Sequence, residues 1–92
     1  RARLIGELPT PRIPTQVTDV EGDVRVRFTV DAQGQPIMST FAVVTSPHPL
    51  LTAAVRRVIP EMHFEPARTG GADGRAIPDV VETSFRFARG AR

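Results

Sequence analysis

The sequence predicts an α+β domain in which one long helix covers one face of a three-stranded antiparallel sheet. Three stretches carry this prediction. Apolar residues occupy every second position at residues 23–30, and at residues 79–87 the same alternation holds apart from Thr83, as in strands with one buried face. At residues 50–59 they recur at three- and four-residue spacing, as in an amphipathic helix. A chain of 92 residues holds one hydrophobic core, so we expect a single domain over residues 1–92.

The leading segment of the chain is rich in proline. Pro9, Pro11 and Pro14 each fix their own φ angle and push the preceding residue toward extended geometry. This composition predicts a segment that lies along the domain or forms the end of a linker. Such a segment could include a short helix. We expect residues 1–11 to form this leading segment and residues 12–88 to form the folded core.

The first strand signal, at residues 23–30, continues into a hairpin. The apolar side chains on its predicted buried face are Val24, Val26, Phe28 and Val30. Residues 31–34 read Asp-Ala-Gln-Gly and supply a four-residue turn whose glycine can adopt a positive φ angle. Residues 37–45 form the return strand, in which Met38 and Val44 blur the alternation. These features predict an antiparallel pair of strands.

The helix is predicted to start at Ser46-Pro47-His48-Pro49 and to run to about Ile59. Ser46 can cap free backbone N–H groups at its start, and the prolines at positions 47 and 49 are tolerated in a first turn, where a missing N–H costs nothing. The apolar stripe comprises Leu50, Leu51, Ala54, Val55, Val58 and Ile59. Arg56 and Arg57 fall outside this stripe and suit the negative end of the helix dipole, and the proline at position 60 disfavours continuation.

The last strand, residues 79–87, is the segment on which the functional prediction depends. An extended return at residues 62–66 and a glycine-rich loop at 69–74 precede it. Its alternation predicts one inward and one outward set of side chains, Val81, Thr83, Phe85 and Phe87 against Val80, Glu82, Ser84 and Arg86. If this strand lies antiparallel beside the first strand, the sheet order is second, first, third, or 2-1-3. The last strand is then an edge of the sheet.

The charge pattern argues against a nucleic-acid partner. The isoelectric point is about 11.0 although the net charge is only +2 at pH 7, because the 12 basic residues are all arginine and no lysine, tyrosine or cysteine titrates in the alkaline range. The arginines are scattered from Arg1 to Arg92, and the chain has no Trp or Tyr to interleave with them. We expect no nucleic acid among the partners.

The residues that could carry chemistry do not form a catalytic or metal-binding pattern. His48 and His63 lie 15 residues apart and lack the spaced carboxylate or cysteine ligands of a metal site. Asp19, Glu21 and Asp23 lie where the leading segment meets a strand, a position typical of a solvated acidic patch. The glycine-rich loop lacks the lysine of a phosphate-binding loop. The sequence therefore predicts a binding domain that is not an enzyme and holds no metal or cofactor.

Several motifs follow one another in a specific order along residues 8–88. They are Leu8-Pro9-Thr10-Pro11-Arg12-Ile13-Pro14, Glu21-Gly22-Asp23-Val24-Arg25-Val26-Arg27-Phe28-Thr29-Val30, Gly34, Ser46-Pro47-His48-Pro49-Leu50-Leu51, Ala53-Ala54, Phe64-Glu65-Pro66-Ala67 and Phe85-Arg86-Phe87. In order and spacing, this set resembles the C-terminal domain of TonB-family energy transducers. The chain departs from the family pattern at Ile13-Pro14, where Tyr-Pro is common, and at Met62, where Trp is frequent.

The resemblance implies a periplasmic domain of an inner-membrane-anchored protein, and the start at Arg1 leads us to expect a fragment of a longer chain. Such domains bind the N-terminal box peptide of TonB-dependent outer-membrane transporters by β-strand addition and transmit energy from an inner-membrane motor complex for substrate uptake. The implied contacts on the edge strand are Val80, Val81, Glu82, Thr83, Ser84, Phe85, Arg86 and Phe87. The implied flanking contacts are Pro11, Arg12, Ile13 and Pro14.

Three alternatives stay open at the level of sequence. The same domain could serve as a regulatory or sensory module of another membrane protein, such as an antibiotic-sensor metallopeptidase. The edge strand could pair with its own copy and give a homodimer. It could also bind nothing, since every open sheet has edges and most of them have no partner.

Overall fold

The computed structural model describes residues 1–70 and 73–88, and the predicted α+β class is confirmed. The strands and the helix of these residues are β1 (Arg3–Ile5), β2 (Gly22–Val30), β3 (Pro36–Thr45), α1 (Pro49–Val58), β4 (His63–Glu65), β5 (Ala67–Arg68), β6 (Ala76–Ile77) and β7 (Asp79–Phe87). Single 3₁₀ turns occur at Thr15–Val17 and Ile59–Glu61. Within the described ranges, no helix has the length and apolar character needed to cross a membrane.

The main sheet has three antiparallel strands, with β2 between β3 and β7. The register of β2 with β7 is continuous from the pair Gly22 and Phe87 to the pair Val30 and Asp79. The register of β2 with β3 is interrupted twice, once on either side of the segment Val26 to Arg27. One side of β2 therefore carries a regular ladder of hydrogen bonds and the other an irregular one.

The core lies between one face of this sheet and α1. Its buried cluster comprises Val17, Val24, Val26, Phe28, Val30, Leu51, Val55, Ile59, Met62, Phe64, Phe85 and Phe87. The predicted alternation of β2 is confirmed, because its four apolar side chains are buried while Asp23, Arg25 and Arg27 are exposed. The rings of Phe28 and Phe64 meet edge to face with centroids 5.9 Å apart. This contact joins the sheet to the segment that follows the helix.

The start of α1 differs from the prediction, because the N-cap is His48 and not Ser46. The Nδ1 atom of His48 accepts a hydrogen bond from the Leu50 N–H at 3.0 Å. A neutral imidazole can do so because one ring nitrogen is unprotonated. Ser46 Oγ instead accepts from the His48 N–H at 3.3 Å and from Thr52 Oγ1 at 2.6 Å. Leu50, which the spacing assigned to the buried stripe, is exposed.

The leading segment contains a strand that the sequence did not predict. In β1, Leu4 lies opposite Phe64 of β4, and its side chain packs against the core. Three residues are too few to show an alternation. The predicted short helix corresponds to the 3₁₀ turn at Thr15–Val17, which places Val17 in the core. The chain ahead of β2 is thus attached to the domain at two points, through β1 and through the turn at Thr15–Val17.

The predicted four-residue turn between β2 and β3 is confirmed and also packs against β4. Gly34 has a φ angle of +83° and donates its N–H to the Asp31 carbonyl at 2.9 Å. Its own carbonyl accepts the N–H of Phe64 at 2.9 Å. A β-carbon at this position would overlap the Phe64 carbonyl oxygen. Glycine is therefore required here both for the backbone conformation and for the close approach of β4.

The glycine-rich loop before the last strand is closed by a short hairpin. β5 pairs with β6 through Ala67 with Ile77 and Arg68 with Ala76. The Thr69 N–H donates to the Arg75 carbonyl at 3.0 Å, which brings the two ends of the loop together. The middle of the predicted loop, residues 71–72, lies outside the described residues. The hairpin leads directly into β7.

Candidate functional site

β7 has one side bonded to β2 and one open side. Within residues 1–70 and 73–88 it pairs with β2 alone. Thr29 of β2 donates its N–H to Thr40 Oγ1 on β3 at 2.8 Å, so the backbone groups of Thr29 face away from β7. Both backbone polar groups of a residue in an antiparallel strand point to the same side. Val80, which lies opposite Thr29, therefore faces away from β2.

The open side of β7 consequently belongs to every second residue of the strand. Because the register with β2 is unbroken, the residues whose N–H and C=O groups face outward are Val80, Glu82, Ser84 and Arg86. A hydrogen bond supports this assignment, since the Val80 N–H is accepted by the side chain of Asp79 at 3.0 Å. The open edge thus presents pairs of backbone groups spaced about 7 Å apart.

The other edge strand of the sheet, β3, is less suited to pairing with a further strand. Its register with β2 is interrupted twice, and the side chain of Thr40 takes one of the β2 N–H groups. Such irregularities twist an edge and interrupt its row of hydrogen-bonding groups. The register of β7 runs through all nine of its residues. β7 is therefore the edge with the more regular backbone.

The side chains of β7 divide between the two faces of the sheet as the sequence predicted. Phe85 and Phe87 are buried in the core, and Val81 and Thr83 are half-buried on the same face. The exposed set is Val80, Glu82, Ser84 and Arg86, in which Val80 keeps 55% of its surface accessible. A strand added beside β7 would meet an apolar surface on one face and a polar surface on the other.

Ion pairs on the outer face hold the charged side chains of β7 over β2. Glu82 lies 3.2 Å from Arg27 Nη2 and 3.6 Å from Arg25 Nη1. Arg86 Nη1 lies 3.4 Å from Asp23 Oδ1. Exposed pairs of this kind stabilise a fold by about 0–1 kcal/mol each. Their larger effect here is geometric, because they draw Glu82 and Arg86 away from the open edge.

Asp79 connects the start of β7 to the N-terminal segment. Its Oδ2 atom accepts the Ala2 N–H at 2.9 Å, while its Oδ1 atom accepts the Val80 N–H. The Ala2 N–H is the main reason that the pKa of the Asp79 carboxyl lies below its ordinary value. No local pattern predicts this contact, because the two residues are 77 positions apart.

The predicted flanking residues lie beside α1. Arg12, Ile13 and Pro14 line a pocket of about 580 Å³ together with Thr15 and Arg57. Pro11, the fourth predicted flanking residue, is buried and is not among the residues that line this pocket. Sequence reasoning did not identify Arg57 as a site residue, because it interpreted Arg57 only as a cation outside the apolar stripe, at the negative end of the helix dipole.

The two cations of this pocket lack an acidic partner. Among the ion pairs of residues 1–70 and 73–88, none involves Arg12 or Arg57. The neighbouring Arg56 lies over the ring of Phe41 on β3, with its guanidinium carbon 5.3 Å from the ring centroid. Consecutive helical residues are rotated by about 100°, so the side chain of Arg57 leaves the helix in a different direction from that of Arg56.

The two histidines have structural contacts. His48 caps α1, and His63 is exposed on β4 with its Nδ1 atom 3.0 Å from Gln35 Nε2. In the part of the chain that the structure describes, His, Asp and Glu side chains nowhere gather in a group of three that could hold a metal ion. Asp23 of the acidic patch is engaged with Arg86. The feature of the described residues that best suits a binding role is thus the open edge of β7, and not the histidines or the acidic patch.

Comparisons with known proteins identify the family. A family model for the C-terminal domain of the Gram-negative bacterial TonB protein matches residues 16–87. Comparison with curated protein sequences gave no match. The solution NMR structure of the Pseudomonas aeruginosa TonB CTD aligns with a TM-score of 0.71 and 24% sequence identity, over 99% of this chain and 89% of that chain, and shows the same fold. Because the family model covers most of the sequence, the chain belongs to the family of Gram-negative bacterial TonB C-terminal domains.

Proposed function

We propose that this domain binds an extended segment of an outer-membrane transporter by adding it as a further strand to the open edge of β7. The observation that carries the proposal is the regular backbone of this edge, whose outward groups pair with no strand among the described residues. Family membership supplies the class of partner, a TonB-dependent transporter with an N-terminal box peptide. The domain acts in the periplasm as an adaptor and not as an enzyme.

Backbone pairing suits a domain that serves several transporters. The hydrogen bonds of an added strand involve atoms that every sequence has, so affinity depends weakly on peptide sequence. Selectivity then comes from side chains at alternate positions, which meet Val81 and Thr83 on the apolar face and Ser84 on the polar face. We expect a segment bound in this way to have a Kd of about 1 μM, equivalent to a binding free energy of about −8 kcal/mol. Such a complex forms and dissociates readily.

Energy transfer in this proposal requires mechanical continuity through the domain. The N-terminal part of the protein, anchored in the inner membrane, couples to the motor complex. Tension from that side reaches the domain through β1, which is paired with β4, and through the Ala2 hydrogen bond to Asp79. Both attachments lead to the main sheet, because β4 is bonded to the turn at Gly34 and Asp79 begins β7. The pulled segment and the docking edge are therefore parts of one hydrogen-bonded unit.

We expect an added box peptide to change the amide chemical shifts of Val80–Phe87 more than those of β3. The measurement is a ¹⁵N–¹H titration of the domain with several box peptides, and a scrambled peptide of equal composition is the control. Absence of shifts along β7 with every peptide would contradict the proposal. Shifts that depend on protein concentration without peptide would identify self-pairing through the same edge, the homodimer alternative.

The pocket beside α1 supplies a flanking contact in this proposal. Arg12 and Arg57 line it together. Two guanidinium groups without an acidic partner suit a carboxylate. We propose that an acidic side chain of the transporter, next to the paired segment, lies against this pocket. Ile13 supplies its apolar wall and packs against the core, which fixes the position of Arg12.

We expect Arg57→Gln to weaken binding of a peptide with an acidic flank by about two- to fivefold, since an exposed ion pair contributes up to about 1 kcal/mol. Isothermal titration calorimetry at two salt concentrations measures the loss, which should shrink at higher salt. Arg56→Gln is the matched control, because it removes the same charge one residue away on the β3 side. Equal losses for both variants would mean that net charge, and not the pocket, attracts the peptide.

A further inference from the structure

The open edge of β7 is partly closed by the protein itself. Four residues present outward backbone groups, but the first of these N–H groups, that of Val80, already donates to Asp79 Oδ1 at 3.0 Å. The second carboxylate oxygen of Asp79 accepts the N–H of Ala2 at 2.9 Å. A partner strand would have to displace this carboxylate to bond with Val80. The outward groups of Glu82, Ser84 and Arg86 have no such competitor among the described residues.

We propose that Asp79 sets the end of the docking edge, so that a partner strand pairs with Glu82, Ser84 and Arg86 and stops before Val80. This inference rests on the proposed function and adds the register and the length of the paired segment. Three outward residues alternate with two inward ones over residues 82–86. The paired segment of the transporter is therefore about five residues long, with apolar side chains at the positions that face Thr83 and Phe85.

The hydrogen bond from the Ala2 N–H to Asp79 links the N-terminal segment to the docking edge. While Ala2 donates to Oδ2, the carboxylate is held beside Val80 by two hydrogen bonds. Movement of the N-terminal segment removes one of them and frees the carboxylate to rotate. The Val80 N–H then becomes available to a partner, and the paired segment can lengthen at that end. Asp79 is thus a positioning residue. Its hydrogen bond to Ala2 determines whether the Val80 N–H is available to a partner strand.

Amide hydrogen exchange with and without a saturating box peptide tests the register. We expect the peptide to slow exchange at Glu82, Ser84 and Arg86 and to leave Val80 unchanged. In Asp79→Ala, a peptide extended by two residues past Glu82 should also protect Val80 and bind about three- to tenfold more tightly than it binds the wild type, as one extra hydrogen-bonded pair implies. The unextended peptide should bind both proteins equally.

Asp19→Ala is the control for the loss of one negative charge, and it should behave as the wild type does. Protection of Val80 in the wild type equal to that of Ser84 would overturn the inference while leaving strand addition intact. Equal affinity of the extended peptide for the wild type and Asp79→Ala would overturn it as well. Absence of protection at Glu82, Ser84 and Arg86 would instead contradict the proposed function itself. The two failures are therefore distinguishable.

Discussion

Gly34→Ala should lower the free energy of unfolding by about 2–4 kcal/mol, a large part of the stability of a domain of this size. Two effects destabilise the folded state of this variant. Alanine at a φ angle of +83° is strained, and its β-carbon would overlap the carbonyl oxygen of Phe64. Relief of that overlap requires β4 to move, which also breaks the hydrogen bond from the Phe64 N–H to the Gly34 carbonyl. Urea denaturation followed by circular dichroism measures the change.

Gly6→Ala separates the two penalties of that substitution. Gly6 has nearly the same backbone conformation, with a φ angle of +81°, but nothing lies within 4 Å of the position that a β-carbon would occupy. Only the conformational penalty remains, and we expect a loss of about 1 kcal/mol. If both variants lost the same free energy, the contact between the turn and β4 would contribute nothing to stability.

The fold class could be predicted because its main elements carry strong local periodicity. The alternation of β2 and β7 and the helical stripe of α1 each follow from one buried face per element. The pairs β1 with β4 and β5 with β6 have two or three residues per strand and show no period. Their existence depends on contacts between distant parts of the chain, which a local pattern cannot reveal.

In the candidate site, too, a local pattern predicts some features, while others depend on contacts between distant parts of the chain. Periodicity predicted which side chains of β7 face the core, and family resemblance supplied the hypothesis that β7 is a docking edge. The contacts of Asp79 with Ala2 and the approach of Arg57 to Ile13 join residues far apart in sequence. The cap at His48 was missed for a different reason, since serine is the commoner cap and an imidazole acceptor depends on the ring's orientation.

Ser84→Pro should abolish peptide binding while the domain stays folded, with affinity falling by more than about tenfold. The N–H of Ser84 points away from β2, toward the open side of β7. A proline there therefore removes a donor that the fold itself does not use. The ring also projects into the space where a partner strand would lie. Proline is tolerated on edge strands for this reason, and we expect only a modest loss of thermal stability. Circular dichroism and calorimetric titration with a box peptide measure the two quantities.

Two further substitutions make this result specific to the outward backbone groups. Ser84→Ala changes the side chain and keeps the N–H, so peptide affinity should fall much less than it does in Ser84→Pro. Thr83→Pro removes an N–H that faces Val26 in the ladder with β2, and this variant should fail to fold. Retained binding by Ser84→Pro would place the docking site elsewhere, with β3 as the remaining edge of the sheet. The contrast between two neighbouring positions therefore tests both the assignment of the open side and the use that we propose for it.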